Sequence, residues 1–147
     1  MRIYSALFLL TVSGFAPLTW AHDVIGSLTA SASATDYYKV TCYDDGSGAT
    51  EHLEVKIKDL APVAPPLVSV LVSKQIGKNF IVKNTTDGSD GNATYSPAIN
   101  ITGGNGDYFL GVNKSAQPAE NYQLQLHCLT HEGFHTGIHD PLLIQNQ

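Results

Sequence analysis

The stretch Tyr122-Gln123-Leu124-Gln125-Leu126-His127-Cys128-Leu129 decides how the rest of the chain reads. Tyr122, Leu124, Leu126 and Cys128 fall on one side of a period-two repeat, and Gln123, Gln125 and His127 fall on the other. That is a β-strand with one dry face and one wet face. The same alternation runs through His52 to Leu60, where Leu53, Val55 and Ile57 interleave with Glu54, Lys56 and Lys58. It recurs in Tyr37 to Tyr43, where Tyr38, Val40 and Cys42 share a face. Leu67 to Ser73 is apolar at nearly every position through Val72 and reads as a central strand, and Asn79 to Lys83, Ala98 to Thr102 and Asp107 to Asn113 complete the series. Between the runs lie Asp44-Asp45-Gly46-Ser47-Gly48, Pro62 to Pro66, Asp87 to Asn92 and Gly103-Gly104-Asn105-Gly106, which supply the backbone angles of tight connections. No segment has helical periodicity. The expected fold is all-β, an antiparallel β-sandwich or jelly roll.

Cys42 and Cys128 are the two cysteines, and each lies on the apolar face of its strand. Both sulfurs therefore point inward, and a disulfide between them is expected to join the first and last core strands. Closing a loop of about 85 residues contributes on the order of 4 kcal/mol by the chain-entropy model. A metal-thiolate reading lacks any C-x-x-C spacing.

An oxidising compartment fits the start of the chain. Arg2, the apolar run Ala6 to Val12, the breakers Gly14 and Pro17 and the end Thr19-Trp20-Ala21 have the form of a signal peptide over residues 1–21. Cleavage after Ala21 leaves His22 first, with residues 22–130 as the sandwich and residues 131–147 as a histidine-containing C-terminal tail packed on it or extending from it. The apolar run is shorter than the roughly 20 residues of a membrane span, and no cysteine near the cut suggests a lipid anchor. The expected location is secreted, periplasmic or on the cell surface.

Arg2 is the single arginine, and the formal charge of the 147-residue chain is −5. An acidic surface without guanidinium groups does not suit phosphate recognition, which argues against a nucleic-acid partner. There is no G-x-S-x-G motif and no carboxylate pair stands out, so an enzyme is not expected.

Four segments in order, Asp36-Tyr37-Tyr38-Lys39-Val40, Val55-Lys56-Ile57-Lys58-Asp59-Leu60, Gly106-Asp107-Tyr108-Phe109-Leu110-Gly111-Val112 and Asn121 to Leu126, resemble the bacterial pre-peptidase C-terminal domain. The likeness covers roughly Asp36 to Cys128. It implies a β-sandwich of the kind appended to exported peptidases, with a role in secretion, adhesion or substrate approach in place of catalysis. Residues 67–92 lack the family's usual acidic strand opening, and no catalytic domain is expected beside this one.

The most unusual chemistry is the series His127, His131, His135 and His139, one every four residues, followed by Asp140. Imidazole is the commonest protein ligand for zinc and copper, and three or four within mutual reach would hold one ion. On a helix or an extended chain this spacing keeps them on one face. The leading expectation is a secreted, non-enzymatic binding module able to hold copper or zinc through these histidines; the rival is a solvated polar tail on an adhesive or carbohydrate-binding domain whose partner is an extracellular polymer or surface. Sugars favour aromatic platforms, and with Trp20 lost in the signal peptide, Tyr37, Tyr43 and Tyr95 are the candidates. A third reading is a copper-dependent oxidative enzyme in which the amine and ring of His22 chelate the metal, alone or with the tail histidines. The loop Asp87 to Asn92 fails an EF-hand pattern, with Gly91 at the fifth position, and reads as a turn. Four glycosylation sequons, at Asn84, Asn92, Asn100 and Asn113, matter only in a host that glycosylates exported chains.

Overall fold

The computed structural model describes residues 22–62, 66–89 and 91–147, so the expected signal peptide lies outside the described residues. The seven β-rich runs become strands: β2 (Thr35–Tyr43), β3 (His52–Asp59), β4 (Val68–Ile76), β5 (Asn79–Thr86), β6 (Ile99–Thr102), β7 (Gly106–Lys114) and β8 (Glu120–Leu129). Three further strands, β1 (His22–Leu28), β9 (Gly137–Ile138) and β10 (Leu142–Gln145), were not foreseen. Among the described residues there is no helix.

The strands form two antiparallel sheets. The smaller has the order β1-β8-β3-β6, and the larger runs β10-β2-β7-β4-β5, with β9 also on β2. Alternation explains the division into an inner and two outer surfaces. In register, Leu53, Val55 and Ile57 of β3 stand opposite Cys128, Leu126 and Leu124 of β8, and all six are buried. Val40 and Tyr38 of β2 likewise meet Tyr108 and Leu110 of β7, which meets Val72 and Val70 of β4 through Leu110 and Val112. The two dry faces close on each other as a sandwich. Buried apolar area, stabilising by roughly 25 cal/mol per Å², is the main force between the sheets.

Cys42 and Cys128 are bonded, with Cα atoms 5.7 Å apart, and both are buried. Because β2 belongs to the larger sheet and β8 to the smaller, the bridge staples the sheets face to face. β1 precedes the two bridged strands and β9 and β10 follow them. Farther along the same bridged strands a polar chain crosses the core. Tyr122 donates to Asp36 Oδ2 at 2.6 Å, the Tyr38 and Tyr122 hydroxyls lie 2.6 Å apart, and Asp36 Oδ1 accepts from the Gln147 backbone N–H at 2.8 Å. Gly26 stands opposite Tyr122, and a Cβ there would fall 2.2 Å from the phenol ring. Only glycine leaves Tyr122 that room.

The segment set apart by sequence as a tail is packed on the sandwich. After β8 the chain turns, bridges Leu129 through His135, pairs β9 with Cys42 and Tyr43, and pairs β10 with Tyr37 to Lys39. Among the described residues no helix is long and apolar enough to cross a membrane.

Replacing Cys42 and Cys128 together by Ala is expected to cost about 2–5 kcal/mol and lower the thermal midpoint by about 10 °C. Calorimetry of the double variant checks this, and an unchanged midpoint would contradict the stapling role.

Candidate functional site

Two outer surfaces carry groups with chemistry. On the smaller sheet, His127 projects outward from β8 opposite Glu54 of β3. A turn follows, held by the Thr130 N–H on the Phe134 carbonyl at 2.8 Å and the Gly133 N–H on the Thr130 carbonyl at 3.1 Å. It brings His135 back beside β8, so that the His127 and His135 ring centres lie 4.9 Å apart at 74°. His131 stays in the exposed turn with Nδ1 3.0 Å from Glu51 Oε1, while Glu51 Oε2 lies 3.1 Å from His52 Nδ1. His139, beyond β9, stacks on Tyr43 at 4.4 Å.

The expectation of one face for all four histidines therefore holds only for His127 and His135. The turn reverses the chain between them, and pairing with β2 carries His139 to the other sheet. Among the described residues no three His, Cys, Asp or Glu side chains are grouped so as to hold an ion. His22 lies opposite Leu126 in register, on the inner face, with Nε2 3.9 Å from Asp140. His127 is on the outer face of the same sheet, so the sheet lies between its ring and that of His22.

Glu51 and His52 are functional candidates that sequence reading passed over. Their signal was weak: His52 shares the wet parity of Glu54 and Lys56, but only the pairing of β3 with β8 shows that it adjoins the histidine end. Hydrogen bonds to His131 first and His52 second hold the Glu51 carboxyl below its ordinary range. The same carboxylate raises His131 above the usual imidazole value. Burial, and then the charge of His135, push His127 in the opposite direction, below it.

The outer face of the larger sheet has a different character. Tyr37 lies across from Gly111, and Phe109 lies across from Lys39 and Ser73. The Tyr37 and Phe109 rings are nearly parallel, 8° apart in tilt with centres separated by 5.9 Å. Leu71, Val82 and Phe80 extend the surface along β4 and β5, exposed by 43%, 52% and 63%. Isolated exposed apolar side chains are ordinary; these share one sheet face. Its border is polar: Lys39 Nζ is 3.6 Å from Asp107 Oδ2, Thr41 donates to Asp107 Oδ1 at 2.5 Å, and Asn84 lies opposite Leu71.

Of the three tyrosines expected as a platform, Tyr37 is on this surface. Tyr43 is stacked by His139, and Tyr95 has Lys58 Nζ 4.7 Å above its ring. Phe109 was missed; its parity, opposite to Tyr108 and Leu110, is the signal that marks it as outward. The described part of the Asp87 to Asn92 loop behaves as a turn, because the Asp87 carboxylate accepts from the Asp59 and Ser89 N–H groups at 2.8 and 3.1 Å. All four sequon asparagines are exposed.

No family model and no curated protein matches the chain. The resemblance to the pre-peptidase C-terminal domain is thus supported only as far as its all-β fold. Among solved structures, the chain is similar to the crystal structure of Yersinia pseudotuberculosis-derived mitogen (YPM), with a TM-score of 0.50 and 10% identity. That match covers 86% of this chain and 97% of the other. At this identity it speaks to fold alone.

His131 and His127 are shifted in opposite directions. Histidine resonances followed by NMR should show His131 titrating above the usual value of about 6.5 and His127 below it. Glu51→Gln should bring His131 back toward that value and leave His127 in place. A His131 midpoint unmoved by Glu51→Gln would contradict the carboxylate contact.

Proposed function

We propose that this protein is an exported, non-enzymatic binding module whose working surface is the outer face of the larger sheet. Its ligand class is an extracellular glycan polymer. The observation that carries this reading is the parallel pair Tyr37 and Phe109, continued by Leu71 and Val82. A pyranose presents an apolar C–H face and a rim of hydroxyls, and this surface offers aromatic faces with Lys39, Asp107 and Asn84 at its border. Such a combination of apolar floor and few placed polar groups is what small-ligand recognition requires. The stapled sandwich below keeps the strands in fixed register, so the platform loses little freedom on binding.

Fold similarity to a mitogen brings no partner to this chain, because similarity at this level does not transfer a binding surface. A second reading, transition-metal binding by the C-terminal histidines, is favoured by one observation, the ring contact between His127 and His135. It concerns the opposite sheet and is independent of the glycan reading.

Affinity electrophoresis of the oxidised protein through gels containing soluble polysaccharides, followed by pull-down on insoluble ones, tests the proposal. At least one polysaccharide should retard the protein. Tyr37→Ala and Phe109→Ala should each weaken that binding by about tenfold, equivalent to about 1.4 kcal/mol, with the thermal midpoint little changed. Retardation by none, or equal retardation of wild type and both variants, would overturn it.

A further inference from the structure

We infer that His127 and His135 form a two-histidine site for a divalent transition-metal ion, copper(II) in preference to zinc, on the outer face of the smaller sheet. The geometry of the pair is the first support. Two imidazoles bound to one ion through nitrogens at about 2.0–2.1 Å, at a tetrahedral angle, have ring centres about 5 Å apart. Those of His127 and His135 are 4.9 Å apart, with planes inclined by 74°. His127 is fixed in β8 by the β3 and β8 pairing, and His135, in the segment between β8 and β9, by its isolated bridge to Leu129. The backbone therefore holds the two rings next to each other.

The second support is an orphaned atom. Nδ1 of His127 is shielded from solvent and meets no hydrogen-bond partner. A buried polar nitrogen left without a partner costs free energy, and a coordinated ion would use that lone pair.

Water would fill the remaining positions of the ion. Glu54, opposite His127, is engaged by Lys56 Nζ at 3.2 Å, and His131 and His139 are directed to Glu51 and Tyr43. A site of two imidazoles without thiolate or carboxylate follows the general affinity order, in which copper(II) exceeds zinc.

Calorimetric titration of the metal-free, oxidised protein with copper sulfate and with zinc sulfate at neutral pH tests the assignment. One copper ion should bind with micromolar or tighter affinity, and zinc more weakly. His127→Phe and His135→Phe keep an aromatic ring but remove the lone pair; each should weaken copper binding by about tenfold or more. His131→Ala and His139→Ala should leave it unchanged. Circular dichroism of each variant without metal separates loss of a ligand from loss of fold, and should match wild type. If His127→Phe fails to fold, the His135→Phe result decides alone. Millimolar affinity in the wild type would overturn the site and leave the contact as edge-to-face ring packing. Equal weakening by His131→Ala or His139→Ala would overturn the assignment to this pair.

Discussion

The structure depends on the clamp between β2 and β8. Each sheet of a sandwich can slide over the other as long as only apolar contacts hold them, because burial is favourable in many relative positions. Here two directional links remove that freedom: the Cys42–Cys128 bridge at one end, and the Tyr38, Tyr122 and Asp36 chain farther along the same strands. The second is demanding, since Asp36 is buried and its carboxylate must be satisfied. Tyr122 supplies one donor and the Gln147 backbone another, so the polar chain also holds the segment after β10. Burial raises the pKa of both phenols above the ordinary value, which keeps them protonated and able to donate.

Once the clamp fixes the sheets, parity assigns every second residue of each strand to an outer surface. The two surfaces differ because their wet positions differ. β3 and β8 place Glu54, Lys56, Gln125 and His127 on one side of the molecule; β2, β7, β4 and β5 place Tyr37, Phe109, Leu71 and Val82 on the other. A glycan on the larger sheet and an ion on the smaller would be separated by the whole core. Neither would need the other, and neither asks the backbone to move.

Much of this architecture was legible in the residues. Strict alternation in β2, β3 and β8 foretold their buried faces, the outward direction of His127 and the inward direction of both cysteines. The unforeseen strands lacked that signal for identifiable reasons. In β1, Gly26 and Ser27 interrupt the apolar pattern, and the strand only edges the smaller sheet. β9 has two residues, and β10 exposes Leu142, Leu143 and Ile144 alike, so no periodicity distinguishes an inner face. The candidate sites were harder to read. Spacing along the chain could not show that a turn at Thr130 to Phe134 would pair His135 with His127 and send His139 to Tyr43. Nor could it show Glu51 between two imidazoles, because strand pairing and a turn assemble that contact.

Native-state hydrogen exchange of the oxidised protein, resolved by residue, tests the clamp most directly. The account predicts that the ladder amides of β2, β7 and β8 exchange last and together, through global unfolding, while those of β5 and β10 exchange earlier through local opening. Amides of β4 and β5 outlasting those of β2 and β8 would contradict it, by showing that the hairpin, rather than the β2–β8 clamp, is the part of the fold that yields last.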